Sequence, residues 1–272
     1  MMIKSPHEIA ILMSCYNGEK YLRKQIDSIL SQSYKDWDLY IRDDGSKDST
    51  LQIIKEYSDN YENIHLYIDK CGNVGPKQSF FLMLESIDAN YYAYSDQDDV
   101  WLDNKLKIGY DAISKHSLSK PIMFQSNVKL VDSELNIISD DFWKLAKLNP
   151  YFSFSFMNQA VNPSIIGMTM MFNKGCKPFI FPYDKEHFMH DSWTALQVLK
   201  NGDVISCKEP LVLYRQHANN YIGARAPKGL SGIMWSVKEN FAKAKVCRNV
   251  LGIPVVKFLY YKSCLLIKKA LL

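Results

Sequence analysis

The sequence has no Cys-x-x-Cys pair: Cys15, Cys71, Cys176, Cys207, Cys247 and Cys264 are scattered. That argues against a zinc ribbon or a disulfide framework and makes a reducing cytosol the expected compartment. No Gly-x-Gly-x-x-Gly follows the first predicted strand and no Gly-x-x-x-x-Gly-Lys-Ser/Thr occurs, so neither a nicotinamide or flavin site nor a P-loop is expected. No uninterrupted apolar run is long enough to span a bilayer. The N-terminus, Met-Met-Ile-Lys-Ser-Pro-His-Glu, lacks the basic and apolar regions of a signal peptide. Internal repeats and low-complexity tracts are also absent.

Acidic residues are scarce at one end. From Arg225 to Leu272 there are ten Lys/Arg and one acid, Glu239, a net of +9, whereas the whole chain carries +4 and residues 1–224 therefore about −5. The acidic bulk argues against a nucleic-acid partner. The tail mixes its charges with Trp235, Phe241, Phe258, Leu259, Tyr260 and Tyr261, a pattern that favours an anionic membrane surface. The alternative is a set of helices packed on the rest of the chain or on a second copy in a homodimer.

What is present is an ordinary globular composition, 47% hydrophobic and 23% charged over 272 residues. Ile9 to Ser14 is an almost wholly apolar run, as expected of a strand buried on both faces. It ends in Cys15-Tyr16-Asn17-Gly18, and Leu22, Ile26, Ile29 and Leu30 then recur at helical spacing. A second strand, Leu39 to Arg42, runs into Asp43-Asp44-Gly45-Ser46, and Asp48 can cap a helix carrying Leu51 and Ile54. A third unit starts at Ile64 to Ile68, turns through Gly72 to Pro76 and continues as a helix with Phe80, Phe81 and Leu84. The fourth strand is Tyr91 to Ser95. Strands alternating with helices predict a mostly parallel α/β sheet with helices on both faces, and such sheets bind ligands beyond the carboxyl ends of their strands. The loops there carry Tyr16 and Asn17, Asp43 and Asp44, Asn73 and Lys77, and Asp96, Asp98 and Asp99.

The last group is the densest. Three carboxylates within four residues repel one another and call for a cation; hard divalent ions such as Mg²⁺ or Mn²⁺, shared with a diphosphate, suit them. A solvated acidic turn is the alternative. In the second half, Leu106 to Ile113 reads as a helix, and Met123 to Val131 and Ile165 to Phe172 as strands. Trp143 to Phe156 is an aromatic stretch that is either core or a sugar-stacking pocket. His190-Asp191-Ser192-Trp193 opens a helix running to about Lys200, where Asp191 is either a plain N-cap or a general base. Val212 to His217 brings Arg215 and His217 to a strand end, as structural groups or as metal or diphosphate contacts.

Together these segments resemble the family-two inverting glycosyltransferases of GT-A fold. The matching motifs are Ser14-Cys15-Tyr16-Asn17-Gly18 with Tyr21-Leu22, Arg42-Asp43-Asp44-Gly45-Ser46-Lys47-Asp48, Ser95-Asp96-Gln97-Asp98-Asp99-Val100-Trp101, His190-Asp191-Ser192-Trp193, and Tyr214-Arg215-Gln216-His217 with Asn220 and Gly223. Their form is most similar to the rhamnosyltransferase-type enzymes of bacterial capsule, O-antigen and cell-wall polysaccharide assembly. The departure from the family pattern is His190, where many relatives carry Glu.

The resemblance implies a catalytic domain over residues 1–224, with a nucleotide-binding half at 1–115 and an acceptor-binding half at 116–224, followed by a basic amphipathic segment at 225–272. It implies Tyr16, Asn17, Asp43, Asp44, Lys77 and Asp96 as nucleotide-sugar contacts, Asp43 or Asp44 meeting the base. Asp98, with His217, is implied as a ligand of Mn²⁺ or Mg²⁺, and Asp191 as catalytic base. The implied donor is dTDP-rhamnose or a UDP-hexose. The implied acceptor is a saccharide, free or linked to polyprenyl diphosphate, met at the cytoplasmic face of the membrane. The alternatives are a non-catalytic nucleotide-sugar binder and a sugar-1-phosphate nucleotidyltransferase; the latter would need a Gly-rich, basic N-terminal loop where this chain has Cys-Tyr-Asn-Gly-Glu-Lys.

Overall fold

The computed structural model describes residues 2–149, 154–184, 186–217 and 239–270, with 265–270 as backbone only. The strands are β1 (Ile3–Lys4), β2 (Ile9–Cys15), β3 (Trp37–Asp43), β4 (Ile64–Leu66), β5 (Ile87–Asp88), β6 (Tyr91–Ser95), β7 (Val100–Trp101), β8 (Ile122–Val131), β9 (Ile137–Ser139), β10 (Met171–Asn173) and β11 (Asp203–Arg215). The longer helices are α1 (Leu22–Leu30), α2 (Thr50–Asn60), α3 (Pro76–Ser86), α4 (Lys105–Ile113), α5 (His190–Asn201) and α6 (Val255–Ala270). Among the described residues one nine-stranded sheet runs β4-β3-β2-β6-β10-β8-β11-β7, with β9 on β8, while β1 and β5 pair separately. The pairs β4-β3, β3-β2, β2-β6 and β8-β11 are parallel; β10 runs antiparallel between β6 and β8, and β7 antiparallel to β11.

Strand alternation explains why the central strands are apolar throughout. Ala10, Leu12, Tyr40, Tyr92 and Tyr94 feed a core shared with α3 and α5. Ile9, Ile11, Met13, Leu39, Ile41 and Ala93, pointing the other way, feed a second core with α1, α2 and α4. Register then sets the site: Cys15 stands opposite Asp43, and Met13 opposite Ser95. The loops that follow these three strands therefore leave the sheet side by side.

Several expectations change. Ile165 to Phe172 is not one strand: a 3-10 turn occupies Gly167–Thr169, and only Met171–Asn173 pairs. The last strand begins at Asp203, well before Val212, because Val204 to Cys207 already pair with β8; the register slips on both sides of Pro210, which has no N–H for the ladder. Trp143 and Phe154 are core, with ring centroids 4.9 Å apart, whereas Tyr151 and Phe152 lie outside the described residues, as do Asn219, Asn220, Tyr221, Gly223 and the expected boundary after 224.

The C-terminal segment joins the core. Ala244, Cys247, Leu251, Ile253 and Phe258 are buried in the same cluster as α3 and α5. Lys262 Nζ donates to the Val161 carbonyl at 2.6 Å and Lys200 Nζ to that of Val250 at 2.7 Å. The outward side of α6 carries Val256 and Tyr260, 80% and 66% exposed. Among the described residues no helix is long and apolar enough to cross a membrane.

One polar side chain is buried against the usual rule. Lys105, at the start of α4, is 1% exposed, and its Nζ lies 3.7 Å from the centroid of the Trp101 ring. Desolvation brings its pKa down to about 7. A lysine with a lowered folded pKa binds fewer protons folded than unfolded, so its linkage term raises stability as pH climbs from about 7 toward about 10.4. Lys105→Met should raise the thermal midpoint at pH 7 by roughly 3–8 °C, a gain that shrinks toward pH 10. Thermal unfolding monitored across that range checks both; a destabilised variant at pH 7 would contradict the reading.

Candidate active site

The first loop is fixed by its neighbours. Asn17 takes a left-handed backbone (φ 48°). Its N–H donates to Ser46 Oγ at 2.9 Å and its Oδ1 accepts from the Lys47 N–H at 2.9 Å. Gly18 N–H donates to Thr50 Oγ1 at 2.7 Å. These bonds join the loop after β2 to the loop after β3. A third link comes from far along the chain: Tyr16 N–H donates to Gln97 Oε1 at 2.9 Å, and Gln97 Nε2 donates back to the Tyr16 carbonyl at 3.1 Å. A Cβ at Gly18 would sit 2.3 Å from Gln97 Oε1, so glycine is what admits this clamp. The Tyr16 ring is left 46% exposed above it.

The two acids after β3 part company. Asp44 is 2% exposed. It accepts from the Arg42 guanidinium and from the N–H groups of Val74 and Gly75, each at 2.8 Å. Arg42 is itself buried, bonding Asp69 at 2.6 Å, Ser79 Oγ at 2.9 Å and the Gly72 carbonyl at 2.7 Å. Asp44 thus holds the 72–75 turn onto the sheet. Asp43 spends one oxygen on the Ser46 N–H at 3.1 Å, and its Oδ1 has no partner.

Past β6 the carboxylates gather. Burial, then the charges of Asp98 and Asp191, push Asp96 up to about 8; Asp96, Asp98 and Asp191 therefore share one region although α5 lies far along the chain. Asp98 Oδ2 is 2.8 Å from His217 Nε2. Asp99 points inward at 0% exposure, takes the Arg215 N–H on Oδ1 at 3.0 Å and leaves Oδ2 without a partner. Its carboxyl is driven well above the usual range by burial and by Asp98 and Asp96. Arg215 is a brace rather than an open anion contact: Nε donates to the Asp98 carbonyl at 2.7 Å and Nη1 to that of Ser133 at 2.6 Å.

Asp191 is not the N-cap of α5, since that position is Met189. It sits in the first turn, where the helix dipole favours an anion. Gly167 N–H donates to its Oδ2 at 3.1 Å and Ser192 N–H to its Oδ1 at 2.6 Å. A Cβ on Gly167 would meet His190 Nε2 at 3.2 Å and Asp191 Cβ at 3.3 Å, which explains the turn that breaks the expected strand. His190 stacks on Phe80 at 3.9 Å, and burial above all lowers its pKa to about 4; both ring nitrogens lack partners. Lys77, partly desolvated and with a lowered pKa, faces the acids Asp184, Glu186 and Glu239.

The geometry thus gathers Tyr16, Asn17, Asp43, Asp96, Asp98, Asp191 and His217 around one sheet edge and buries Asp44 in a structural network, while Lys77, at the start of α3, lies within electrostatic range of His190 as well as of Asp184, Glu186 and Glu239. Gln97, Arg42 and Gly167 carry roles that sequence reading did not assign. Apart from the Arg42–Asp44 pair, their partners are tens of residues away, so no local pattern announces them. For a divalent cation the donor set is suitable in kind: Asp98 and His217 are in contact, and Asp96 is a nearby carboxyl whose ionised form a cation would favour. Among the described residues no cluster of three metal-binding side chains is already in ligating geometry.

Residues 10–174 match the model of glycosyl transferase family 2. The chain is 28% identical over 228 residues to a dTDP-rhamnosyl transferase, RfbG, of Shigella flexneri, covering 78% of this chain and 74% of that protein. Its fold is similar to that of S. aureus TarS 1-349 in complex with UDP-GlcNAc (TM-score 0.63, 16% identical, covering 89% of this chain and 67% of that one). It is also similar to that of the mannosyltransferase PcManGT from Pyrobaculum calidifontis, in complex with GDP-Man and Mn²⁺ (TM-score 0.56, 12% identical, covering 96% and 81%).

The split between the two acids after β3 is open to measurement. Asp44→Ala should cost about 3–5 kcal/mol of unfolding free energy, because it strips a buried guanidinium and two N–H groups of their acceptor. Asp43→Ala should cost about 1 kcal/mol or less. Urea unfolding of both variants checks the order, and equal losses would remove the distinction.

Proposed function

The chain belongs to glycosyl transferase family 2, and from that premise we propose that it is an inverting enzyme of bacterial surface-polysaccharide assembly. It moves a sugar from a nucleoside diphosphate, with dTDP-rhamnose as the first candidate donor and UDP-hexoses as the second, to a saccharide acceptor. The likeness to RfbG supports the donor choice. The observation that carries the reading is the packing of β6 on the first turns of α5, Tyr94 against the His190 ring at 4.9 Å and the Thr194 hydroxyl at 3.1 Å, which sets Asp96 and Asp98, just beyond β6, near Asp191.

In this reading the exposed Tyr16 ring, on a backbone clamped by Gln97, offers a face to the base, and Asp43, at the end of β3, meets its edge. Asp96 holds the ribose or the donor sugar. Asp98 and His217 would hold a divalent ion, which when bound offsets the charge that builds on the departing diphosphate. Asp191, with both oxygens oriented by backbone N–H groups, takes the proton of the acceptor hydroxyl as its oxygen bonds to the anomeric carbon. The bond to the diphosphate breaks on the opposite face, so configuration inverts. A hydroxyl scarcely ionises at neutral pH, so the proton moves during bond formation.

Thermal shift against dTDP-rhamnose, UDP-glucose, UDP-galactose, UDP-N-acetylglucosamine and GDP-mannose, with Mn²⁺ or chelator, tests donor and metal together. One donor should raise the midpoint in a metal-dependent way. Asp191→Asn should keep that shift while transfer to acceptor falls by at least about a thousandfold. Retained turnover, or loss of donor binding, would overturn the role of Asp191.

The acceptor in this proposal is a saccharide on polyprenyl diphosphate, reached from a membrane surface by the outward side of α6. Val256 and Tyr260 lie one turn apart there, beside Lys257, and the 225–272 stretch is basic. Val256→Glu with Tyr260→Glu should release the protein from anionic vesicles in a sedimentation assay without lowering its thermal midpoint. Unchanged vesicle binding would end this part of the proposal.

A further inference from the structure

A single aromatic ring lies beneath the residues that hold the carboxylate motif. Tyr21 stands immediately before α1, and its amide donates to the Gly18 carbonyl at 3.0 Å. Its ring centroid is 4.5 Å from Arg215 Cζ and 4.9 Å from the His217 ring, with an interplanar angle of 34°. Lys20 Nζ lies 4.9 Å from the same centroid. Arg215 bonds the Asp98 carbonyl through Nε and the Asp99 carboxylate through its own N–H, and His217 bonds the Asp98 carboxylate.

The bonds that Arg215 and His217 make to the Asp98-Asp99 pair thus come from two residues whose side chains both rest on Tyr21. A guanidinium over an aromatic face is drawn to the ring quadrupole, the more so when largely desolvated, as Arg215 is at 3% exposure. The ring also fixes the plane of the adjacent imidazole, and with it the direction in which Nε2 meets Asp98.

We propose that Tyr21 is a positioning residue for the Asp98–His217 cation site, acting through Arg215 and His217 without touching substrate. The face of the ring does this, so Phe should serve and an aliphatic side chain should not. The inference rests on the reading of Asp98 and His217 as cation ligands.

The test is direct Mn²⁺ binding, read as loss of the free-ion electron paramagnetic resonance signal, with saturating dTDP and separately with UDP. Tyr21→Phe should bind like the wild type. Tyr21→Leu should bind about tenfold more weakly, with far-UV circular dichroism and metal-free thermal midpoint close to wild type. Arg215→Lys, which replaces the planar fork by a point charge, should weaken binding as well, and the double variant should lose less than the product of the two single losses. Wild-type affinity in Tyr21→Leu would overturn the inference, as would equal weakening in Tyr21→Phe, which would assign the effect to the hydroxyl. If Tyr21→Leu does not fold, the Phe and Arg215→Lys results decide it: weakening by Phe, or none by Lys, overturns it. A wild-type protein that takes up no Mn²⁺ with either nucleotide would overturn the cation reading and this inference with it.

Discussion

Like charge held in one place is the constraint on which this structure turns. Asp96, Asp98, Asp99 and Asp191 are brought to the carboxyl edge of a largely apolar sheet, and water cannot screen them there as it would on a surface. The fold answers part of that repulsion with its own groups. Asp99 is turned inward onto the Arg215 amide, Asp98 meets His217, and Asp191 is held by two backbone N–H groups at a helix N-terminus. Burial first, and then the charges of Asp98 and Asp191, raise the pKa of Asp96 to about 8, so it holds its proton at neutral pH. A bound cation would favour its ionised form, which is the local condition under which a cation and a diphosphate become favourable company.

The rest of the molecule can be understood as the scaffold for that edge. Parallel pairing in fixed register sets Cys15 beside Asp43 and Met13 beside Ser95, so three loops emerge together. Gln97 ties the first to the third, Asn17 and Gly18 tie the first to the second, and Asp44 ties the second to the 72–75 turn. Each tie uses backbone amides, and that between the first two loops also spends the Asn17 side-chain oxygen, on the Lys47 N–H. The antiparallel strand β10 closes the gap between β6 and β8, and the turn before it delivers Gly167 to Asp191.

The C-terminal segment illustrates how charge and burial can point in different directions. Its sequence is basic and sets it apart electrostatically. Five of its apolar side chains nonetheless complete the core beneath α3 and α5, and its lysines Lys243 and Lys262 engage the rest of the chain, Lys243 over the Phe188 ring at 5.8 Å and Lys262 through the Val161 carbonyl. Among its described residues, Phe241, Val250, Val256 and Tyr260 remain exposed.

The sequence by itself determined the alternation of strands and helices, the sheet edge at which function gathers, and the residue types there. Those follow from short-range periodicity: apolar runs such as Ile9 to Ser14, and acids placed directly after strand residues, as at Asp43 and Asp96. It also carried the family resemblance, since motifs in order survive where overall identity is low. Tertiary structure decided which of two adjacent acids is built into the frame: Asp43 and Asp44 look alike in sequence, and only Asp44 meets Arg42 and the 72–75 turn. It likewise decided that Asp191 is held by Gly167 rather than serving as a cap, that Gln97 clamps Tyr16, and that β11 begins before Pro210. Each of these depends on a partner remote along the chain, and hydrogen bonds across such separations leave no periodic trace in the residues that make them.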